Sequence, residues 1–430
     1  MESLPALRFI CVLFAAGYAF ALTRDDWRRI RTPLILLGLL TLWFIVQLIP
    51  LPPGMWHALP GREEIIAIDR QLGLEDLWRP ISLAPSLTWN SLLGMTVPFA
   101  ALLMAARLPV EAYPRVLYAL VAIAGVGVLI GFFQIAGGVD SPAYLYRITN
   151  RASMTGVFAN RNHYAVFLAC MVLVSATLLR DQFGMRRRNP QIIVLLSVAG
   201  VLFGVTSLLT GSRAGLAMSL ASLLFGGMIA VRAWRASTSP KPAAGPIWRW
   251  NRLAYLVPIL LIGIVFAIDM FSGRVTALDR LAAKSVGDDM RVIAWPIITA
   301  MIGHYWILGS GVGSFAPVYK IYEPDRLLTP SYFNHAHNDW AEILMTGGVP
   351  FLVILVAAIL WLGYRVRIRG LDRLMGGYRG DFRLLSLTIL GMLAVASLVD
   401  YPLRVPSLQV FAILFTVMLA CPKSLGSARD

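Results

Sequence analysis

The sequence predicts an all-α, polytopic membrane protein, and three observations predict it. The chain has 430 residues, of which 58% are hydrophobic and only 14% charged, with a mean hydropathy of +0.70. A soluble domain could not cover that much apolar surface with so little charge. Many apolar runs approach the roughly 20 residues that a spanning helix needs, and they lack the alternation of barrel strands.

Eleven spans are expected, within a range of 10–12, at about 5–22, 33–51, 89–106, 115–136, 163–180, 191–210, 214–231, 253–271, 340–363, 384–400 and 406–421. The first run is followed by Thr23-Arg24-Asp25 and not by a small-residue cleavage site, so a retained helix is expected. Residues 1–430 read as a single integral membrane domain. Residues 235–250, RASTSPKPAAGPIWRW, read as a Pro/Ala/Ser-rich linker. Cys11, Cys170 and Cys421 fall in or at the ends of apolar runs, which argues against a disulfide framework or a cysteine metal site.

Lys and Arg set the orientation. With residues 23–32 facing the cytoplasm, the inner segments hold 23 of the 38 basic residues and 7 of the 23 acids. The positive excess therefore belongs to the cytoplasmic rim, and the net charge of +15 needs no nucleic acid to explain it. The segments 52–88, 137–162 and 272–339 become periplasmic loops, as does the turn at Gly211-Ser212-Arg213. The N-terminus lies outside and the C-terminus inside.

The loop 272–339, between the eighth and ninth spans, carries its own pattern. Asp288 or Asp289 can cap a helix over about 290–303, and a turn Gly309-x-Gly311-x-Gly313 follows. That helix is apolar but short, so it is expected in the interface or packed on the bundle. Next comes HAHNDWAE, residues 335–342. Asp339-x-x-Glu342 has the form of a capping box that starts the ninth span at about Trp340. His337 then precedes a helix N-terminus, where the dipole disfavours a second positive charge. An imidazole kept neutral there can accept a proton. Asn338, Asp339 and Glu342 can equally serve as caps alone. His-x-His followed by Asp can also hold a metal, but no third His or Cys ligand is obvious, and His304 sits in the apolar helix.

Arg213, at an outward turn between two spans, is a charge at membrane depth: a functional candidate or a snorkelling side chain. Arg291 lies in the first turn of the outer helix and either acts on a ligand or pairs with Asp288 or Asp289. Asn160, Arg161 and Asn162 sit at the outer mouth of the fifth span, where amides bind sugar hydroxyls or cap the helix. Two arginines can grip a diphosphate, and a neutral histidine can deprotonate a hydroxyl. Together they fit glycosyl transfer from a lipid-linked diphosphate sugar.

The stretches NHAHNDWAEILMTGG (334–348), GSRAG (211–215), RVIAW (291–295) leading to GSGVGSF (309–315), and GVFANRNHYA (156–165) carry a resemblance. The chain resembles the O-antigen ligase and polysaccharide polymerase family of bacterial envelopes, which includes certain O-oligosaccharyltransferases. RPISLAPSLTW (79–89) is similar to a segment of the polymerase-type relatives. The resemblance implies a GT-C-like helical fold in the inner membrane. It implies an inverting transfer from an undecaprenyl-diphosphate-linked glycan to lipid A core or a growing glycan at the periplasmic face, with no metal or cofactor. By position, Arg213 and Arg291 look like diphosphate-binding arginines, His337 like the catalytic base, and His335 like the more variable first histidine. His335, Asn338, Asn160, Arg161 and Asn162 are the expected substrate-binding residues. Relatives often have twelve spans with both ends inside, against eleven here.

The alternative from another class is a transporter or flippase of a polysaccharide precursor or a small anion. It would place charged or broken segments near the bilayer midplane, whereas here the polar residues gather at one face.

Overall fold

The computed structural model describes residues 4–185, 187–237, 290–328, 333–367 and 377–420. It is an all-α polytopic protein. Its main helices are α1 (Leu4–Ala21), α2 (Arg24–Val46), α3 (Glu63–Leu72), α4 (Pro85–Gly94), α5 (Thr96–Ala106), α6 (Tyr113–Ala136) and α7 (Arg161–Gly184). They continue as α8 (Pro190–Leu209), α9 (Arg213–Ser237), α10 (Trp295–Tyr305), α11 (Phe315–Tyr322), α12 (Asp339–Arg367), α13 (Gly377–Ala396) and α14 (Pro406–Ala420). Among the described residues the only β-structure is an antiparallel pair of two-residue strands, Pro50–Leu51 with Arg79–Pro80.

Among the described residues, seven segments are long and apolar enough to cross a membrane: Arg24–Val46, Pro85–Ala106, Val110–Ala136, Arg161–Gly184, Pro190–Leu209, Arg213–Val231 and Asp339–Arg367. Three shorter apolar helices, Pro5–Ala21, Phe382–Ala396 and Pro406–Ala420, coincide with further expected spans. The expected span 253–271, most of the linker 235–250, and Asp288 and Asp289 lie outside the described residues.

Two boundaries differ from the hydropathy reading for local reasons. The second span starts at Arg24 and not at 33, because Thr23 and Asp26 close a capping box: Asp26 N donates to Thr23 Oγ1 at 3.3 Å and Thr23 N to Asp26 Oδ2 at 2.9 Å. The charged residues after Thr23 are therefore helical. The outer helix breaks at Ala294, so that a single turn Met290–Ile293 precedes α10, whose second residue is Pro296.

The chain divides into two compact units. The first comprises residues 1–108, 286–371 and 397–430. Ile30, Leu102, Ala105, Ala106 and Val417 form one of its cores, joining α2, α5 and α14. A second core joins Ala294, Ile298, Met301, Tyr305, Phe315, Tyr319, Ala336 and Met345. The outer helix thus packs on the bundle, beneath the histidine segment. The loop 52–88 docks there too. Arg62 lies 5.5 Å over the rings of Trp56 and Tyr305, and its burial lowers its pKa to about 10.

One buried amide ties these pieces together. Gln47, just past the end of α2, donates to Leu308 O at 3.0 Å and Thr346 O at 2.9 Å, and accepts from Val312 N at 3.0 Å. It thereby joins the glycine turn to the middle of α12. Gly309, Gly311 and Gly313 all have positive φ, at 80°, 104° and 88°, which favours glycine. A methyl at Gly309 would overlap the Thr346 carbonyl, and one at Gly311 the Ser82 side chain. Opposite them α12 kinks at Gly348 (φ 63°, ψ −166°), before Pro350. The Gly347 carbonyl at the kink accepts from Trp43 Nε1 at 2.7 Å.

The second unit comprises residues 109–285 and 372–396. There α7 is buried along nearly its whole length, against α6, α8, α9 and α13. Small residues permit the close approach: a methyl at Gly215 would overlap the Ala165 side chain, and Ser207 Oγ donates to Ala165 O at 3.0 Å.

Gln47→Leu keeps nearly the same volume but strands the Val312 N–H and the Leu308 carbonyl, at about 1–3 kcal/mol each. We expect a thermal midpoint in detergent lowered by several degrees. An unchanged midpoint would show that the amide does not hold the turn.

Candidate functional site

Two short segments of the first unit, 335–342 and 397–404, meet in a cluster of imidazoles, carboxylates and guanidinium groups. His337 adopts φ 50°. A left-handed residue other than glycine stores about 1–3 kcal/mol of strain. The strain reverses the chain just before α12, so that His337 lies at the helix entrance and outside its hydrogen-bond ladder.

The start of α12 corrects the expected capping box. Asn338 is the cap: its Oδ1 accepts from Ala341 N at 3.1 Å. Asp339 and Glu342 are turned elsewhere because a cation stands between them. Arg404 Nε donates to Asp339 Oδ1 at 2.9 Å, and Arg404 Nη1 lies 3.2 Å from Glu342 Oε1. Asp339 also accepts from Ser397 Oγ at 3.2 Å, and Glu342 from the backbone N–H of Ala336 at 2.9 Å. Burial works against the Arg404 cation, but Glu342 and then Asp339 outweigh it and raise its pKa above the ordinary guanidinium value.

Each histidine meets its own carboxylate. His337 Nδ1 lies 3.1 Å from Asp400 Oδ1, and His335 Nδ1 lies 3.1 Å from Glu342 Oε1. The Tyr401 ring neighbours both imidazoles, at 4.3 Å from His335 and 5.1 Å from His337. Phe333 stands 5.3 Å from the other side of His337. Arg291 reaches the same carboxylate: its Nη2 is 3.9 Å from Asp400 Oδ2, while its Nη1 donates to Val399 O at 2.8 Å. Asp400 is itself buried.

This geometry has a chemical consequence. A carboxylate facing Nδ1 fixes the tautomer with the proton on Nδ1, and the lone pair then resides on Nε2. The carboxylate also orients the ring and stabilises the imidazolium formed when Nε2 takes a proton. His337 and Asp400 thus form an oriented imidazole–carboxylate pair, with the Arg291 guanidinium close by.

Of the expected site residues, Arg291, His335, His337 and Asn338 come together here. Arg213, Asn160, Arg161 and Asn162 belong to the second unit. Asn160 caps α7, its Oδ1 accepting from Asn162 N at 2.8 Å. Arg161 Nη1 donates to Ser153 Oγ at 3.3 Å. Arg213 opens α9 with an exposed side chain, and Ser212 caps that helix by accepting from Gly215 N at 3.0 Å. The sequence reading missed Asp400, Ser397 and Arg404. Their one signal was a carboxylate and a guanidinium closing an apolar run in VDYPLR, residues 399–404.

Residues 195–356 match the O-antigen ligase family model (Wzy_C). The resemblance read from the sequence is borne out over that stretch, which holds Arg213, Arg291, His335, His337 and Asn338. Asn160, Arg161 and Asn162 precede it, and Asp400 and Arg404 follow it. A comparison with curated proteins returned no match. The match points to an enzyme of ligase or polymerase type, with a glycosyl-transfer role in O-antigen or polysaccharide assembly, carried by a multi-pass membrane protein.

Glu342 is wholly buried, and removing one partner of a buried ionic cluster costs about 3–5 kcal/mol. We expect Glu342→Leu to lose stability in that range, read as a denaturation midpoint in detergent. A loss under about 1 kcal/mol would mean that the cluster holds nothing together.

Proposed function

We propose that this protein transfers a glycan from an undecaprenyl-diphosphate-linked donor to a sugar hydroxyl, as an O-antigen ligase or a polysaccharide polymerase. The site faces the periplasm from the bacterial inner membrane. The acceptor is lipid A core or a growing glycan. One observation carries this reading: an imidazole oriented by a buried carboxylate, with an arginine 3.9 Å from that same carboxylate.

The chemistry follows from those groups. His337 Nε2 takes the proton of the acceptor hydroxyl. The hydroxyl oxygen attacks the anomeric carbon from the face opposite the leaving group. The bond from that carbon to the diphosphate oxygen breaks, its electron pair leaves with the diphosphate, and the configuration inverts. Asp400 stabilises the imidazolium formed in this step. Arg291 stabilises the charge developing on the diphosphate, an effect worth about 3–4 kcal/mol for a well-placed donor, and Arg213 is a second candidate for that role. A guanidinium has five N–H donors and can hold a carboxylate and a phosphate oxygen together. His335 and Asn338 contribute contacts to sugar hydroxyls. Ligase and polymerase share these steps and differ only in the acceptor.

The measurement is consumption of a lipid-linked donor by purified protein. His337→Ala should lower turnover about 10²–10⁴-fold, the span of general-base contributions. Arg213→Ala and Arg291→Ala should each lower it about 10²–10³-fold, and Arg291→Lys should recover only part of that. Undiminished consumption by His337→Ala would remove the base and this mechanism with it. In cells lacking the gene, loss of long polymer with single repeats retained marks a polymerase, and full-length but unattached polymer marks a ligase.

A further inference from the structure

Arg404 touches no reacting group in the steps above, yet the site's two segments meet around it. We propose that Arg404 is a positioning residue that sets the His337–Asp400 pair by locking residues 397–404 onto the entrance of α12. The inference rests on the glycosyl-transfer reading.

Residues 397–404 are held to α12 at both ends. At one end Asp339 N donates to Ser397 O at 2.8 Å and Ser397 Oγ to Asp339 Oδ2 at 3.2 Å. At the other end Arg404 reaches Asp339 at 2.9 Å and Glu342 at 3.2 Å. Asp400 lies between these two anchors. Its partner His337 precedes Asp339 by two residues, on the other segment. The 3.1 Å contact between Asp400 and His337 is therefore set by the two anchors flanking it.

The imidazole side is held by the same guanidinium. Glu342, fixed by Arg404, accepts from Ala336 N and meets His335 Nδ1. Both groups adjoin His337, whose backbone is strained. Without Arg404, Asp339 and Glu342 would be two buried carboxylates one helical turn apart with their shared counter-charge removed, and they would repel or take up protons. Either response lets Ala336 and Ser397 move and releases both members of the catalytic pair.

Lysine cannot replace this arginine fully. Nε and Nη1 are two donors in one rigid plane, each reaching a different carboxylate, whereas an ammonium is a single point charge. A shift of about 1 Å at a catalytic group costs on the order of 100-fold in rate.

The test is a double-mutant cycle on the purified full-length protein, crossing Arg404→Lys with Asp400→Asn, with kcat and KM read from consumption of a lipid-linked donor. Arg404→Lys should lower kcat about 100-fold in the native background, leave KM within about 3-fold, and cost less than about 3-fold more once Asp400 is already Asn. The same fold-loss in both backgrounds, or a loss confined to KM, would overturn the positioning role. If Arg404→Lys does not yield monodisperse protein, Asp339→Asn replaces it in the cycle with the same expected non-additivity, since it weakens the Arg404–Asp339 anchor while leaving the Arg404–Glu342 contact. His337→Ala run in parallel separates the two claims. Wild-type turnover there overturns the glycosyl-transfer reading, and this inference with it. Lost turnover there, with additive Arg404 losses, overturns only the positioning role.

Discussion

Asp339 and Glu342 are buried one helical turn apart, and two ionised carboxylates at that spacing repel unless a cation joins them. Arg404 joins them, and the local architecture follows from that bond. Asn338 caps the first turn of α12, and Arg404 ties that turn to the chain from 397 to 404. Apolar side chains of equal volume would join these segments with a smaller desolvation cost. They would not specify which residues meet. A planar guanidinium between two carboxylates admits one register, and that register puts Asp400 opposite His337.

A second constraint comes from the apolar surroundings. Backbone groups that leave a helix while buried must find partners inside the protein. The chain breaks regular structure twice in one place, at the Gly309–x–Gly311–x–Gly313 turn and at the Gly348 kink of α12. The breaks face each other and satisfy each other. Ser310 N donates to Met345 O at 3.0 Å, Gly311 N to Thr346 O at 3.0 Å, and Val349 N to Trp306 O at 2.8 Å. Gln47 supplies partners the two backbones lack. The C-terminal end of the outer helix α10 is thereby fixed, and the turn that bears Arg291 precedes its other end.

The fold was legible because hydropathy and length suffice to mark a spanning helix. The boundaries were less so: the charges after Thr23 read as a loop until the Thr23–Asp26 box showed that they sit on a helix. At the site, His337 and Arg291 stood out as polar residues in an apolar chain. Asp400 and Arg404 did not, because one acid and one arginine closing a hydrophobic run look the same as ordinary interfacial charges. Asp339 and Glu342 were assigned to capping because D-x-x-E satisfies that pattern whether or not the side chains turn back. What sends them away is Arg404, more than sixty residues on, and local spacing holds no trace of so distant a partner.

The two imidazoles look equivalent in sequence, and their surroundings separate them. Both present Nδ1 to a carboxylate at 3.1 Å, and both adjoin Tyr401. The oxygen that His335 uses, Glu342 Oε1, is also 3.2 Å from Arg404. Glu342 Oε1 is therefore shared between the His335 ring and a guanidinium. At Asp400 the nearby guanidinium of Arg291 stands further off, at 3.9 Å, and from the other oxygen. Asp400 Oδ1, the oxygen that faces His337, also accepts from Tyr401 N at 3.1 Å. The two imidazoles thus sit on carboxylates with different second partners, Arg404 on Glu342 and Arg291 on Asp400.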